Sequence, residues 1–491
     1  MSDSLHEPWL RGIAFNPAAP SDVLIRLVDR AAGDTCLLMC QGRDLPDPVI
    51  DAALHHPVMK IRRALAGNGH IDPARLAPLA ADPSGLVRGR LAGGAHPRPR
   101  RVRPLPDDIL VTLLTARDGG EDGMLTAQEI VQELSASRQI PQSFYRSMAE
   151  HEHPRIREHA VRRWHSLTGA QRSALLDDPD PAVRKGAKES SRESDGAAVE
   201  AMLPSIGSLS RPHVLGTCAL SPALIDQCFA DGSVYPLTWN RHTPADTVAR
   251  LARHPEAGVR AMVAARPDLA PAVAAELRED PDEGVRTRMR LHPFTRTWDE
   301  YGAIRRCNGH GPDCTCPITE LSTAPSPEWF AACAASDEPV LRRVAACWPG
   351  LRAELVATLA QDDDEEVRIR LACHHPLAPP RLLLDVFVSR PAHRPHLLTL
   401  PTFPRTGLAH LISHPDPQVR ALAAGDPAVP DPPVHDPDHA VRRAAAANPN
   451  LAPDALEGLL TDPGTAEGAA ANPSLPVPRM HALLNLSLTT T

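Results

Sequence analysis

The residues best suited to chemistry lie in a short insertion, Arg305-Arg-Cys-Asn-Gly-His-Gly-Pro-Asp-Cys-Thr-Cys-Pro317, which sets Cys307, His310, Cys314 and Cys316 within ten residues. Three thiolates and an imidazole are the donors of a tetrahedral zinc site, and Gly309, Gly311 and Pro312 permit the tight reversal that converging ligands need. Three loop thiolates joined by Cys333, Cys347 or Cys373 would equally suit an iron–sulfur cluster, which prefers sulfur ligation. The plain structural alternative is a glycine-rich loop with incidental thiols, Cys347 and Cys373 standing in place of core alanines. Zinc and iron–sulfur both stay open on spacing alone.

A second candidate is Asp118-Gly-Gly-Glu-Asp-Gly-Met-Leu-Thr-Ala-Gln-Glu129, which follows a helical run over 109–116. Against a twelve-residue calcium loop, Asp118, Asp122 and Glu129 fall at ligand positions 1, 5 and 12, and Gly123 at the turn position 6. Position 3 is Gly120, which removes one oxygen ligand. The competing reading is a loop followed by a helix in which Thr126 and Glu129 cap each other. Two further patterns look metal-like: Cys36 and Cys40, four apart on one helix face, and His151-Glu-His153. Core thiols and a helix start account for these without a metal.

These stretches interrupt or ride on a repeated unit, cleanest at His435-Asp-Pro-Asp-His-Ala-Val-Arg-Arg-Ala-Ala-Ala-Ala-Asn-Pro-Asn-Leu-Ala-Pro453. Asp436-Pro437 reads as a helix start, since Asp accepts from unpaired backbone N–H groups and Pro at the first helical position loses no bond. Val441, Ala444 and Ala445 share one helical face, and Pro449 ends the run. A shorter second helix carries Leu456, Leu459 and Leu460. Neither helix is long enough to stand alone, so each unit needs neighbours stacked on both sides.

Aligning the residue equivalent to Val441 gives a spacing of 26 from Trp9 to Thr35, Ile61 and Val87. The column continues at Ile156, Val183, Val259, Val285, Leu341, Val367, Val419 and a worn Thr465. A fixed period in this range marks stacked helical repeats. The next residue is arginine in ten copies, from Arg62 to Arg442, and five positions before the Val stands Asp or His, read here as the helix cap. An arginine ladder can bind phosphate. Here the nearby acids favour Asp–Arg pairing between neighbouring repeats.

The segments 441–453 and 469–476 resemble leucine-rich repeat variant units, relatives of HEAT-like helical repeats. The resemblance implies an all-α solenoid of roughly 24–27-residue two-helix repeats, an α-helix with a short α or 3₁₀ partner, winding into a right-handed superhelix. It also implies a separate N-terminal cysteine module carrying an iron–sulfur cluster, which has no counterpart at the start of this sequence.

The expected organisation is N-terminal repeats at 1–95, a Pro/Arg linker and helical insertion at 96–150, middle repeats at 151–295 with a polar break at 189–210, the Cys/His insertion at 296–328, and C-terminal repeats at 329–491. The terminal leucines 483, 484, 486 and 488 are expected to cap the stack. Fifty-three prolines would break long helices or central strands but are tolerated at helix starts and stops.

A net charge of −8 with three lysines gives no global attraction to phosphate backbones, so nucleic acid is not an expected partner. No signal peptide or membrane-length apolar run is seen, and a cytoplasmic protein with reduced thiols is expected. No nucleophile elbow, phosphate-binding glycine loop or His-Glu-x-x-His motif occurs. The leading expectation is therefore a non-enzymatic scaffold for a protein partner. A zinc or iron–sulfur sensing protein is the first alternative, and a HEAT-like nucleic-acid or DNA-repair protein the second.

Overall fold

The computed structural model describes residues 3–29, 34–95, 103–116, 125–137, 139–164, 167–193, 196–201, 203–208, 210–291 and 327–487. Helices and turns make up the described residues, with no strand among them, and the fold is an all-α solenoid of stacked helix pairs. Every residue of the valine column is inside: Ile61, Val87, Ile156, Val259, Val285, Leu341, Val367, Val419 and Val441 are fully buried, and Trp9, Thr35, Val183 and Thr465 are nearly so. Short helices with one apolar stripe leave no other stable arrangement, because the stripe is covered only by the next helix in the stack.

The repeat around Val441 shows the local logic. Its first helix is His439–Ala446, its second Pro453–Leu459, and the next first helix is Ala466–Ala471. Second helices stay short and open on proline at Pro271–Arg278 and Pro453–Leu459, and Pro73–Ala81 is 3₁₀.

The helix cap lies two residues later than the sequence reading placed it. Asp438, not Asp436, is the N-cap, accepting from Ala440 and Val441 N–H. Asp364 and Asp416 hold the same position in their repeats, accepting from Val367 and Gln418 N–H respectively. The residue five before the valine instead closes a turn ahead of the helix: Asp436 accepts from the Asp438 N–H at 2.8 Å, and Asp362 from Asp364 at 2.9 Å. Asp-Pro suits a turn as well as a helix start, which is why the two could be confused.

The chain forms two compact units. The first joins residues 1–140 with 383–491, and the second spans 141–382. Within the first unit the stack does not end at the C-terminal helix Val477–Leu486. Leu483 and Leu484 are fully buried, and the helix Asp3–Phe15 lies on Ala466–Ala471 as the next repeat would. Gly12 meets Glu467 O and the Ala470 methyl so closely that no Cβ fits; Gly468 meets Arg443 O and the Ala446 methyl in the same way, one repeat earlier. The Trp9 indole N–H donates to Leu460 O at 2.9 Å. Arg26 of helix Ser21–Asp29 reaches His481 and Asn485 at 2.8 and 2.6 Å, and His481 also meets Asp22 at 3.1 Å. Leu483 and Leu484 are thus core between repeats rather than an end cap, whereas Leu486 is exposed and Leu488 lies outside the described residues.

The proline-rich stretch after 390 contains a 3₁₀ turn at Pro391–His393 and a helical turn at Arg394–Leu397. Arg394 is buried there and ties Phe387 O, Gln418 and Asp416 together, each at 2.8 Å. At the expected polar break, helix Pro181–Glu193 runs on past residue 189.

Candidate functional site

The candidate metal ligands Cys307, His310, Cys314 and Cys316 lie outside the described residues, as do Asp118 and Asp122. Of their proposed partners, Cys333 is fully buried and Cys347 and Cys373 are nearly so, all on the apolar side of first or second helices. Among the described residues no three His, Cys, Asp or Glu side chains group as metal ligands would, so these three thiols do not converge by themselves. Glu129 is already engaged: its carboxylate accepts from the Thr126 N–H at 2.7 Å and the Thr126 hydroxyl at 2.9 Å, while Thr126 Oγ1 accepts from the Glu129 N–H. These bonds hold its carboxyl below the usual range, as a capping box should.

Both metal-like pairs are built into the frame. His153 is an N-cap accepting from Arg155, and His151 accepts from the His153 N–H at 3.0 Å. Cys36 and Cys40 are buried on one helix turn; a hydrogen bond between the thiols lowers the pKa of Cys36 and raises that of Cys40, whose burial adds to the rise.

The arginine column is a series of inter-repeat clamps. Arg260 donates through Nε and Nη2 to the Asp280 carboxylate of the next repeat at 2.7 and 3.0 Å, and through Nη1 to the His254 and Pro255 carbonyls at 2.8 and 2.9 Å. Arg62, Arg157, Arg342 and Arg420 repeat this fork on Asp82, Asp178, Asp362 and Asp436. Bidentate guanidinium–carboxylate geometry is strong and directional, and it leaves little of the arginine for an outside ligand. The Arg260 side chain is 13% exposed and that of Asp280 5%. Asp178, Asp280 and Asp436 are pushed below the usual carboxylate range, first by their arginine bonds. Arg88, Arg184, Arg286, Arg368 and Arg442 make the carbonyl half of the clamp on their own turns.

A further column escaped the sequence reading. Seven residues after the valine position, Asn16, Asn68, Asn448 and Asn472 are buried amides. Each donates both N–H bonds to carbonyls ending the preceding repeat's first helix: Asn448 to Ala424 and Asp426, both 2.8 Å, and Asn472 to Ala446 and Asn448 at 3.0 and 2.7 Å. Its oxygen accepts from its own turn, as Asn472 does from Ser474. The last carbonyls of any helix lack intrahelical partners, and this ladder supplies them. Asn240 does the same for Leu215 and Cys218, and on the next rung the fully buried Arg266 takes the asparagine's place, donating to Leu237, Thr238 and Asn240 carbonyls. The recurrent Asn-Pro and Asn-Gly after the alanine run was the available signal, and the proline drew attention from the amide beside it.

Fold and clamps define an α-helical repeat protein whose polar columns serve the joints between repeats. Residues 439–464, the repeat around Val441, match the family model for the leucine rich repeat variant. No curated protein matches the chain. Among solved structures, a crystal structure of an engineered protein is 12% identical over 95% of this chain and 98% of that one; its TM-score of 0.12 supports no statement about fold. Among the described residues no helix is long and apolar enough to cross a membrane.

Proposed function

We propose that the protein is a non-enzymatic scaffold that presents its stacked repeats to a protein partner in the cytoplasm. The observation that carries this reading is the engagement of the polar columns: arginines by aspartates and carbonyls, asparagines by helix ends, Glu129 by Thr126. Extended stacked surfaces of this kind suit macromolecular contact. The seven described cysteines form no disulfide, in keeping with a reducing compartment. Affinity capture from the native host is expected to recover a stoichiometric protein. Recovery of none, together with turnover of a small molecule, refutes the reading. Duplex DNA and RNA are expected to give no salt-sensitive gel shift, because the clamped guanidinium groups cannot release counterions from a phosphate backbone.

A second role rests on the ligand spacing of Cys307, His310, Cys314 and Cys316. Protein purified without chelator and oxygen is expected to carry near-stoichiometric zinc or iron, lost in Cys314→Ser. Metal-free wild-type protein removes this role and leaves the scaffold untouched.

A further inference from the structure

The joint between helix Asp3–Phe15 and helix Ala466–Ala471 lies inside the first compact unit, yet no short connection links its halves. Residues 1–140 and 383–491 share that unit, and the chain between them passes through the second. The joint is nonetheless built like a connected one. Between His439–Ala446 and Ala466–Ala471, Gly468 fits against Arg443 O and the Ala446 methyl, and the Asn472 amide donates to the Ala446 and Asn448 carbonyls. Between Ala466–Ala471 and Asp3–Phe15, Gly12 fits against Glu467 O and the Ala470 methyl, and the Asn16 amide donates to the Ala470 and Asn472 carbonyls. Trp9 adds its bond to Leu460 O, and Arg26 of Ser21–Asp29 bonds His481 and Asn485 of Val477–Leu486.

Recognition at this joint therefore belongs to its two faces and not to a linking peptide. One face carries Trp9, Gly12 and Asn16; the other carries the Ala470 methyl and the carbonyls of Leu460, Glu467 and Asn472. Because the two surfaces differ, they pair head to tail, and each has the same complement on another copy of the chain as on its own. Separation is unfavourable for both. It takes the Asn16 amide from the last carbonyls of Ala466–Ala471 and returns the apolar sides of Trp9 and Ala470 to water.

We infer that the face formed by Leu460, Glu467, Ala470 and Asn472 binds helix Asp3–Phe15 of a second copy of this chain once its own is displaced, and that two opened copies exchange these helices reciprocally. Reciprocal exchange forms both joints and stops at a pair, whereas one-way exchange leaves two faces uncovered. The bonds are the same within a chain and between chains, so concentration sets the balance: the tethered face wins in dilute solution, and exchange grows as chains open and close in each other's presence. This self-association stands apart from the scaffold reading, and either can fail without the other.

Refolding of the full chain tests this. Urea-unfolded protein, kept reduced, is refolded at about 1 μM and at about 200 μM, and both samples are brought to one concentration before mass is read by light scattering. A species of twice the chain mass is expected to be at least about tenfold more abundant after concentrated refolding. Equal abundance in the two samples, or no such species, overturns the inference. Two variants assign the pair to this joint: Gly12→Val blocks one face and Ala470→Leu the other, since the Ala470 methyl already occupies the space a Cβ at Gly12 would need. Each variant refolded alone at about 200 μM is expected to give no pair, because every joint it can form has one blocked face. Refolded together, they are expected to form a mixed pair with one chain of each, through the intact Gly12 face of one and the intact Ala470 face of the other. Pairing by either variant alone at the wild-type level, or absence of the mixed pair from folded variants, overturns the inference. If a variant does not fold, the wild-type comparison at the two concentrations still decides.

Discussion

Asn16 donates to the backbone carbonyl of Asn472 at 2.7 Å across 456 residues of sequence. Its second N–H reaches Ala470 O at 2.9 Å, and its oxygen accepts from Ala18, so it makes the bonds that Asn472 makes to the repeat before it. Asn16→Ala should therefore cost as much as Asn448→Ala, roughly 1–3 kcal/mol, since each leaves two buried carbonyls unpaired. The urea midpoint checks this; an unchanged midpoint for Asn16→Ala would show that the joint does not hold in solution.

Gly12→Val should be more damaging still. Backbone oxygen of Glu467 and the Ala470 methyl occupy the space of the new side chain, and overpacking against backbone costs about 1–3 kcal/mol or more. Gly458→Ala is the matched control, with open space around its Cβ position within a helix. It is expected to raise Tm slightly, by the helix propensity of alanine.

The two halves of the arginine column separate in a pair of variants. Arg260→Ala strips the fork from the nearly buried Asp280 and should cost roughly 2–3 kcal/mol after allowance for partial exposure. Arg286→Ala removes bonds to the Asp280 and Pro281 carbonyls and should cost less. Equal losses would mean that the carboxylate contributes nothing to the clamp.

Acid should unfold the chain in a late step governed by Asp178, Asp280, Asp364, Asp416 and Asp436. Arginine bonds hold all five below the usual carboxylate range. A lowered folded value means that their contribution is present above the unfolded value near ~3.9 and disappears as pH falls through the folded one. Urea midpoints measured downward from neutral pH should show this step, and Asp280→Asn should shrink it.

The valine column was legible because burial and helical period select the same residues, and the structure buries every member from Trp9 to Thr465. The cap was misplaced by two residues because Asp-Pro-Asp offers two acceptors, and only the coordinates show Asp436 closing the turn and Asp438 starting the helix. The asparagine ladder went unread because both donors of each amide act on the preceding repeat, where sequence patterning within one unit has nothing to display. The joint between Trp9 and Leu460 is a different kind of omission. Trp9 and Thr465 stand in the same column and Asn16 and Asn472 in the same rung, yet a period read along the chain orders repeats by number and does not join its first to its last. As for the metal candidates, Glu129 accepts from its capping partner Thr126, Asp118 and Asp122 lie outside the described residues, and the 307–316 loop keeps only its spacing as argument.

The placement of helix Asp3–Phe15 on Ala466–Ala471 also sets an order of events during synthesis. At roughly 5–20 residues per second, a ribosome that has released the first helix needs roughly 20–90 s more to deliver the one beneath it. Throughout that interval the nascent chain can build forward from Asp34–Gly42 but presents Trp9 and the Gly12 face without Ala466–Ala471 to cover them. Helix Asp3–Phe15 is thus covered only after everything up to Ala471 has been made, and chaperone occupancy of residues 3–15 would be set by the time taken to translate everything between.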